Sequence, residues 1–203
     1  MSRANTVIDY YYAPISAYAY LGEPRLIQIA QEAGVRVAFK PLDIMPVFEA
    51  AGAIPPARQN PQKLAYRRAD TARTAARLGM PLNPKPAHWP VPMALAARTI
   101  IAAELLGVDQ HHVSMTIMKA IQVNEQDISS PAQLLSALSQ SDLPASALLD
   151  TAQQDQCGET LQDNIRTAIE QSVMGAPTYV VNGEMFFGQD RLIDLQWWLA
   201  QAP

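Results

Sequence analysis

Apolar positions at the start of the chain predict a strand, a helix and a second strand. Residues 6–14 (TVIDYYYAP) are aromatic and β-branched and end in a proline, which is typical of a buried strand. From Ser16 apolar residues recur at helical spacing until Gly34, which favours a helix end, and Pro24 within this run indicates a kink or a late helix start. Residues 35–44 alternate like a second strand. This order predicts a right-handed βαβ unit with parallel strands.

The middle of the chain has a helical period. Two proline-rich loops, residues 52–62 and 80–92, flank a predicted helix over 63–79 that has a strongly basic face. Further helices are predicted over 94–107, 108–124, 130–141, 144–155 and 159–173.

Strand signals return near the end of the chain, in residues 175–189. Asn182-Gly183 lies between two apolar runs and predicts a hairpin turn. Residues 190–201 predict a final amphipathic helix with Asp190 as its N-cap. Trp197 and Trp198 are adjacent in this helix, so they cannot both face the core.

These elements predict an α/β fold in which the two ends of the chain form one sheet. The chain has 203 residues, enough for one domain with an insertion. We expect residues 1–48 and 172–203 to form the sheet-containing domain and residues 49–171 to form an inserted all-helical domain.

Composition narrows the classes of partner. A net charge of −4 and a pI near 5.3 argue against non-specific nucleic-acid binding, which depends on a basic face. The N-terminal residues do not resemble a signal peptide, and no apolar run approaches the roughly 20 residues of a membrane span, so we expect a cytoplasmic protein without a membrane partner.

The metal-binding residue types are sparse. Cys157 is the only cysteine, which excludes an internal disulfide and a cysteine-rich zinc site, and we expect an inert thiol. His111 and His112 would diverge by about 100° on a helix and could not share a metal in the usual i, i+4 way, so we interpret both as surface residues. We therefore expect no metal site.

Two short segments could carry chemistry. Ser16 follows the first strand at the predicted helix start, where free N–H groups favour an anion; its hydroxyl could donate to a bound thiolate or serve only as an N-cap. Pro177 follows Ala176 before a strand. If that peptide bond is cis, the Ala176 backbone groups could pair with an extended ligand; a trans proline at a strand start is the alternative.

Together the two segments resemble the 2-hydroxychromene-2-carboxylate isomerase family of the DsbA-like thioredoxin superfamily, which is related to kappa-class glutathione transferases. The first segment reads DYYYAPISAYAYLG (9–22) and the second VMGAPTYVVNGEMFFGQDRL (173–192). Their order and spacing extend the resemblance over nearly the whole chain. The implied fold is thioredoxin-like with an inserted helical domain.

The resemblance implies that the reactive thiol belongs to bound glutathione. Ser16 would then stabilise the thiolate, and Ala176 with Pro177 would pair with the cysteinyl part. The γ-glutamyl end would be held by Phe187, Gly188, Gln189 and Asp190. The implied activity is isomerisation of a small aromatic carboxylate, 2-hydroxychromene-2-carboxylate, to trans-o-hydroxybenzylidenepyruvate, and relatives of this kind are often homodimers.

The substrate carboxylate requires a cation. Candidates in the loops and the helix that would overhang the site are Arg58, Lys63, Arg67, Lys85 and His88, although a residue of this kind is more often a solvated charge than a ligand. The His88-Trp89 segment could form a substrate lid or only anchor its loop.

Three other functions remain possible at this point. The first is a glutathione transferase or peroxidase acting on other electrophiles, and the second is a non-catalytic binding protein, which Ala17 and Ala53 at family motif positions leave open. The third, a dithiol oxidoreductase, is nearly excluded because Ser16-Ala17-Tyr18-Ala19 occupies the position of its Cys-x-x-Cys motif.

Overall fold

A computed structural model describes residues 6–201. Four strands form one mixed sheet in the order β2-β1-β3-β4. Strands β1 and β2 are parallel, whereas β1–β3 and β3–β4 are antiparallel. The strands are β1 Val7–Tyr12, β2 Arg36–Pro41, β3 Thr178–Val181 and β4 Glu184–Phe187. The βαβ unit, the single sheet shared by both chain ends and the Asn182-Gly183 hairpin turn are confirmed.

The helices of the described residues lie mostly between β2 and β3. Their bounds are α1 Ala17–Ala33, α2 Ile44–Ala50, α3 Pro61–Leu78, α4 Ala94–Leu105, α5 Gln110–Gln122, α6 Pro131–Ser139, α7 Ala145–Ala152, α8 Asp155–Glu170 and α9 Leu192–Gln201. Short 3-10 turns occur at Pro56–Arg58 and Gln189–Arg191. No helix in residues 6–201 has the length and apolar character that crossing a membrane requires.

Aromatic side chains fill one face of the sheet. Tyr10 and Tyr12 alternate to the same face of β1 and stack with ring centroids 4.2 Å apart. Tyr179 stacks on Tyr10 at 5.5 Å, and Phe39 meets both β1 rings edge-on. These rings form an aromatic part of the core against this face of the sheet.

Helix α1 begins immediately after the turn that follows β1. Ser16 is its N-cap, and Gly34 closes it in the left-handed conformation with φ 68°. The helix does not start late, because it already includes Ala17 and continues through Pro24. Its apolar side, which includes Leu21 and Leu26, is buried.

The inserted helices are tied to α1 by a buried polar network. Glu23 of α1 is completely buried; its two carboxylate oxygens lie 2.8 Å from His111 Nδ1 and 2.7 Å from the Ser114 hydroxyl, both on α5. Tyr12 donates to the same Ser114 hydroxyl at 2.9 Å. The surface interpretation of His111 is therefore wrong, since this imidazole is half-buried against a carboxylate, whereas His112 is exposed.

The C-terminal segment differs from its sequence prediction in one respect. Asp190 is not an N-cap: it lies in the 3-10 turn before α9, without a side-chain cap bond, and pairs with Arg191 at 2.9 Å. Of the two tryptophans, Trp198 packs edge-on against Phe186, whereas Trp197 is 64% exposed.

Candidate active site

Ser16 lies where β1 ends and α1 begins. Its Oγ accepts a hydrogen bond from the Ala19 amide at 3.2 Å, so the N-cap role is confirmed. The residue is only 7% exposed. Within residues 6–201 the amides of Ala17 and Tyr18 have no acceptor. The hydroxyl hydrogen and these two amides are therefore available to an anion at the positive end of the helix.

The turn before Ser16 is fixed by the insertion. The Ile15 carbonyl accepts two hydrogen bonds, from Trp89 Nε1 at 3.1 Å and from Gln122 Nε2 at 2.9 Å. Trp89 belongs to the proline-rich loop and precedes a cis proline, Pro90. The His88-Trp89 segment thus anchors the Ser16 turn, a role that the sequence pattern did not distinguish from that of a lid.

Of the two alternatives that the sequence left open for the Ala176-Pro177 peptide bond, the structure has the cis form. Tyr11 lies opposite Thr178 in the antiparallel β1–β3 pair, which brings the end of β1 and the start of β3 to the same edge of the sheet. Within the described chain neither the amide nor the carbonyl of Ala176 has a hydrogen-bond partner. An extended ligand backbone could pair with both groups.

Ser16 and Ala176 line one cavity of about 390 Å³. Its walls are mostly apolar and include the large side chains of Met45, Phe48 and Trp89. Such a cavity suits a flat apolar group beside two convergent polar features.

A groove of about 1020 Å³ adjoins this cavity and shares Ala176 with it. The residues predicted to hold glutathione all line this groove: Ala176, Pro177, Phe187, Gly188, Gln189 and Asp190. Ser16 lines the cavity at its end. Residues far apart in sequence thus form one continuous surface.

Gln189 is held in place by α1. Arg25 donates to its backbone carbonyl at 2.5 Å and to its side-chain oxygen at 2.6 Å. Gly22 permits the contact, because a Cβ at that position would lie 2.9 Å from both Gln189 Cβ and the Tyr179 hydroxyl. The sequence assigned no role to Gly22, although it ends the first motif segment, or to Arg25, because the partner of both residues, Gln189, lies far away in the sequence.

Gly188 and Asp190 shape the far end of the groove. Gly188 has φ 105°, and a Cβ there would lie 2.5 Å from Asp190 Oδ1, so only glycine fits. The Asp190 carboxylate is 60% exposed, which leaves it open to a ligand ammonium as well as to Arg191.

The candidate cations are dispersed. Arg58 lines the cavity that contains Ser16, Lys63 lines the groove, and Lys85 lines a separate pocket of about 250 Å³ on the other side of Arg67. His88 lines none of these three spaces.

Arg67 alone among these candidates borders all three spaces. Its guanidinium carbon lies 4.8 Å from the Tyr18 ring centroid and 5.9 Å from that of Trp89. Burial lowers the pKa of Arg67. The Tyr18 hydroxyl donates to Asp70 at 2.9 Å, and burial together with this bond raises the pKa of Tyr18 to about 12, so the ring stays neutral and fixed.

A model of the DSBA-like thioredoxin domain matches residues 7–200. The chain belongs to this family. The expected fold, thioredoxin-like with helices inserted between strands, is thereby confirmed.

Curated relatives carry the more specific name suggested by the sequence motifs. The chain is 27% identical over 193 residues to a 2-hydroxychromene-2-carboxylate isomerase of Pseudomonas putida, covering 94% of this chain and 92% of the relative. It is 28% identical over 198 residues to an isomerase of the same name from Sphingobium xenophagum, covering 95% and 97%. The resemblance is confirmed, and it supports an isomerase.

Solved structures agree on the fold. A 2-hydroxychromene-2-carboxylate isomerase superposes with a TM-score of 0.80 at 24% identity, covering 96% of this chain and 95% of that one. The cytosolic disulfide reductase DsbM from Pseudomonas aeruginosa superposes with a TM-score of 0.67 at 18% identity, covering 97% and 100%. The fold is therefore shared with a disulfide reductase as well as with an isomerase.

Proposed function

We propose that the protein is a glutathione-dependent isomerase that interconverts 2-hydroxychromene-2-carboxylate and trans-o-hydroxybenzylidenepyruvate, or close aromatic analogues. The observation that carries the proposal is the convergence of Ser16 and Ala176 on one apolar cavity that opens into a groove. The names and coverage of the curated relatives support the reaction class and the substrate.

Polar groups that line the groove and have no partner within the described residues match the polar groups of glutathione. The free amide and carbonyl of Ala176 match the backbone of the cysteinyl unit. Asp190 offers a carboxylate to the γ-glutamyl ammonium, and Lys63, which also lines the groove, offers a cation to a glutathione carboxylate. A related disulfide reductase, DsbM from Pseudomonas aeruginosa, has been solved with GSH at 19% identity and a TM-score of 0.66, a likeness that concerns the fold.

When bound, glutathione would supply a thiolate able to add to the conjugated double bond of the ring-opened substrate and to leave again after rotation, so that the double bond re-forms with the other geometry. Ser16 donates its hydroxyl hydrogen to the sulfur, and the free amides of Ala17 and Tyr18 add the field of the helix N-terminus. The mostly apolar cavity walls lower the local dielectric and so strengthen these interactions. No net oxidation occurs, and the thiol is regenerated.

Dithiol exchange does not fit this chain despite the shared fold. Ser16 occupies the position of the first motif cysteine, and Cys157 is completely buried in α8. Transfer of glutathione to other electrophiles would use the same thiolate, and product analysis distinguishes it: a transferase retains the sulfur–carbon bond in its product, whereas an isomerase releases free glutathione.

Glutathione titration of wild type and Ser16→Ala, followed by calorimetry and by the ultraviolet absorbance of the thiolate, tests the proposal. The variant should still bind, because most contacts lie elsewhere, but the thiolate absorbance and the isomerisation rate should fall. Ser130→Ala is the matched control, since Ser130 caps α6 in the same way and lines none of the three spaces. Absence of both heat and thiolate absorbance in wild type at millimolar glutathione would refute the mechanism.

A further inference from the structure

The Arg67 side chain occupies the junction between the Ser16 cavity and the groove. It projects from α3, an inserted helix, into the space bordered by Tyr18 of α1 and Trp89 of the proline-rich loop. Rings on two elements thus limit the positions that the guanidinium can adopt. A planar cation held in this way loses little further conformational entropy when it binds a ligand.

This guanidinium has no anionic partner among residues 6–201. Arg67 takes part in no ion pair and no side-chain hydrogen bond. The nearest carboxylate along its helix, Asp70, already accepts from Tyr18 and from Arg73. A largely desolvated cation without a counter-ion, facing a cavity, is arranged for an anion that comes from outside the chain.

The cavity on the Ser16 side of Arg67 accommodates an aromatic ring. Phe48 and Met45 form part of its wall, and its volume of about 390 Å³ exceeds that of a single ring with a short side chain. Arg58, the other cation of this cavity, is exposed on a 3-10 turn, and the cation–π contacts found within residues 6–201 belong to Arg67. The groove has cations of its own for a tripeptide, including Lys63 and Arg77.

We propose that Arg67, clamped between Tyr18 and Trp89, binds the carboxylate of the electrophilic substrate and selects aryl carboxylates over uncharged aryl compounds. The guanidinium pairs with the carboxylate, while the aryl ring lies against Phe48 and Met45 with its reactive carbons toward Ser16. The reaction of the bound substrate rests on the proposed function. Binding of the carboxylate to Arg67 does not require glutathione.

The test uses a ligand that cannot react with a thiol. Hydrocinnamate and its uncharged amide, hydrocinnamamide, are titrated into wild type, Arg67→Met, Arg67→Lys and Arg58→Gln, with calorimetry and intrinsic tryptophan fluorescence as readouts. Wild type should prefer the acid over the amide by about 10- to 100-fold, the range expected for a partly desolvated charge-assisted pair. Arg67→Met should abolish this preference while amide affinity stays within about twofold, Arg67→Lys should retain part of it, and Arg58→Gln should reduce it by less than about threefold.

Separate outcomes overturn the inference and the proposed function. A wild type without acid preference, or a preference that survives Arg67→Met, overturns the carboxylate site. Loss of glutathione affinity in Arg67→Met with unchanged acid preference assigns Arg67 to glutathione instead and also overturns it. If wild type selects the acid through Arg67 yet binds no glutathione, the carboxylate site stands and the glutathione-dependent function fails. Circular dichroism of each variant, with Arg67→Lys as the conservative replacement, separates these results from misfolding.

Discussion

The Nδ1 atom of His111 lies 2.8 Å from a carboxylate oxygen of Glu23, a residue with no exposed surface. Glu23 belongs to the helix that Ser16 caps, and His111 belongs to the insertion. Burial raises the pKa of Glu23, although His111 and Ser114 oppose this increase. Burial alone would lower the pKa of His111, but its bond to Glu23 and the charges of Glu23 and Asp109 raise it overall. The pair therefore makes the attachment of the insertion to α1 sensitive to pH.

Replacing His111 with glutamine should destabilise the protein most on the acid side. A histidine whose folded pKa lies above its unfolded value of 6.5 contributes stability below about pH 6.5, and this contribution is lost as pH rises through the folded pKa. The raised pKa of Glu23 has the same sign of effect, because a carboxyl group that holds its proton more tightly in the folded state also loses stability as pH rises. Urea unfolding should therefore show a larger difference between wild type and His111→Gln near about pH 6 than near about pH 9.

His112→Gln provides the control, because the neighbouring imidazole is exposed. Its effect on unfolding should be small at both pH values. A difference between wild type and His111→Gln that does not change with pH would contradict the coupling.

Replacement of two helical glycines by alanine should change the free energy of unfolding in opposite directions. Gly22→Ala places a methyl group 2.9 Å from Gln189 Cβ and the Tyr179 hydroxyl, so it should lower the free energy of unfolding by about 1–3 kcal/mol and weaken glutathione binding through Gln189. Gly158→Ala meets only Arg98, at 3.8 Å, and should raise the free energy of unfolding by about 0.5–1 kcal/mol. Thermal unfolding measures both, and equal effects would refute the steric argument.

Removal of the two hydrogen-bond donors to the Ile15 carbonyl should have non-additive effects on the free energy of unfolding. Trp89→Phe and Gln122→Met each leave the carbonyl one hydrogen bond, so each should cost about 0.5–1.5 kcal/mol. The double variant leaves a buried carbonyl without a hydrogen bond. Its loss in unfolding free energy should exceed the sum of the two single-variant losses by more than about 0.5 kcal/mol. A double-mutant cycle in urea measures this coupling, and simple additivity would show that the two donors act independently of the shared acceptor.

The single thiol should be unreactive in the folded protein. Cys157 has 0% exposure, and burial raises its pKa, although Arg98 opposes the increase. Its reaction with a disulfide reagent should be about 1,000-fold slower than in denaturant, because it requires transient opening. Ser139→Cys, at an exposed position, is the reactive control, and a native rate for Cys157 close to that of the control would contradict the expected inertness.

The parts of the site that could be predicted from the sequence are those that lie within a short contiguous motif. Ser16 at a strand-to-helix turn, Ala176-Pro177 before a strand and the Phe187 to Asp190 segment each lie within a short motif, and the structure gathers them in adjoining spaces. Asp190 was wrongly interpreted as a cap because an aspartate before an amphipathic run has the same local pattern whether or not its side chain bonds to the helix.

Residues that act through distant partners could not be predicted in this way. Nothing in the local sequence indicates that Gly22 is required, because the requirement arises from its close approach to Gln189. Arg67 is one of several basic residues on a helical face that the sequence pattern indicates is exposed to solvent, whereas the structure places it at the cavity. His111 resembled a surface residue because its partner is 88 positions away.

The sequence by itself determined the succession of strands and helices, the cap of α1 and the two motifs that identify the family, since these depend on periodicity and on the conformational preferences of neighbouring residues. Only the tertiary structure decided which cation faces the cavity, which donors fix the Ser16 turn and which carboxylate is buried. Those properties arise from desolvation and from contacts between distant segments, and both exist only after the chain has folded.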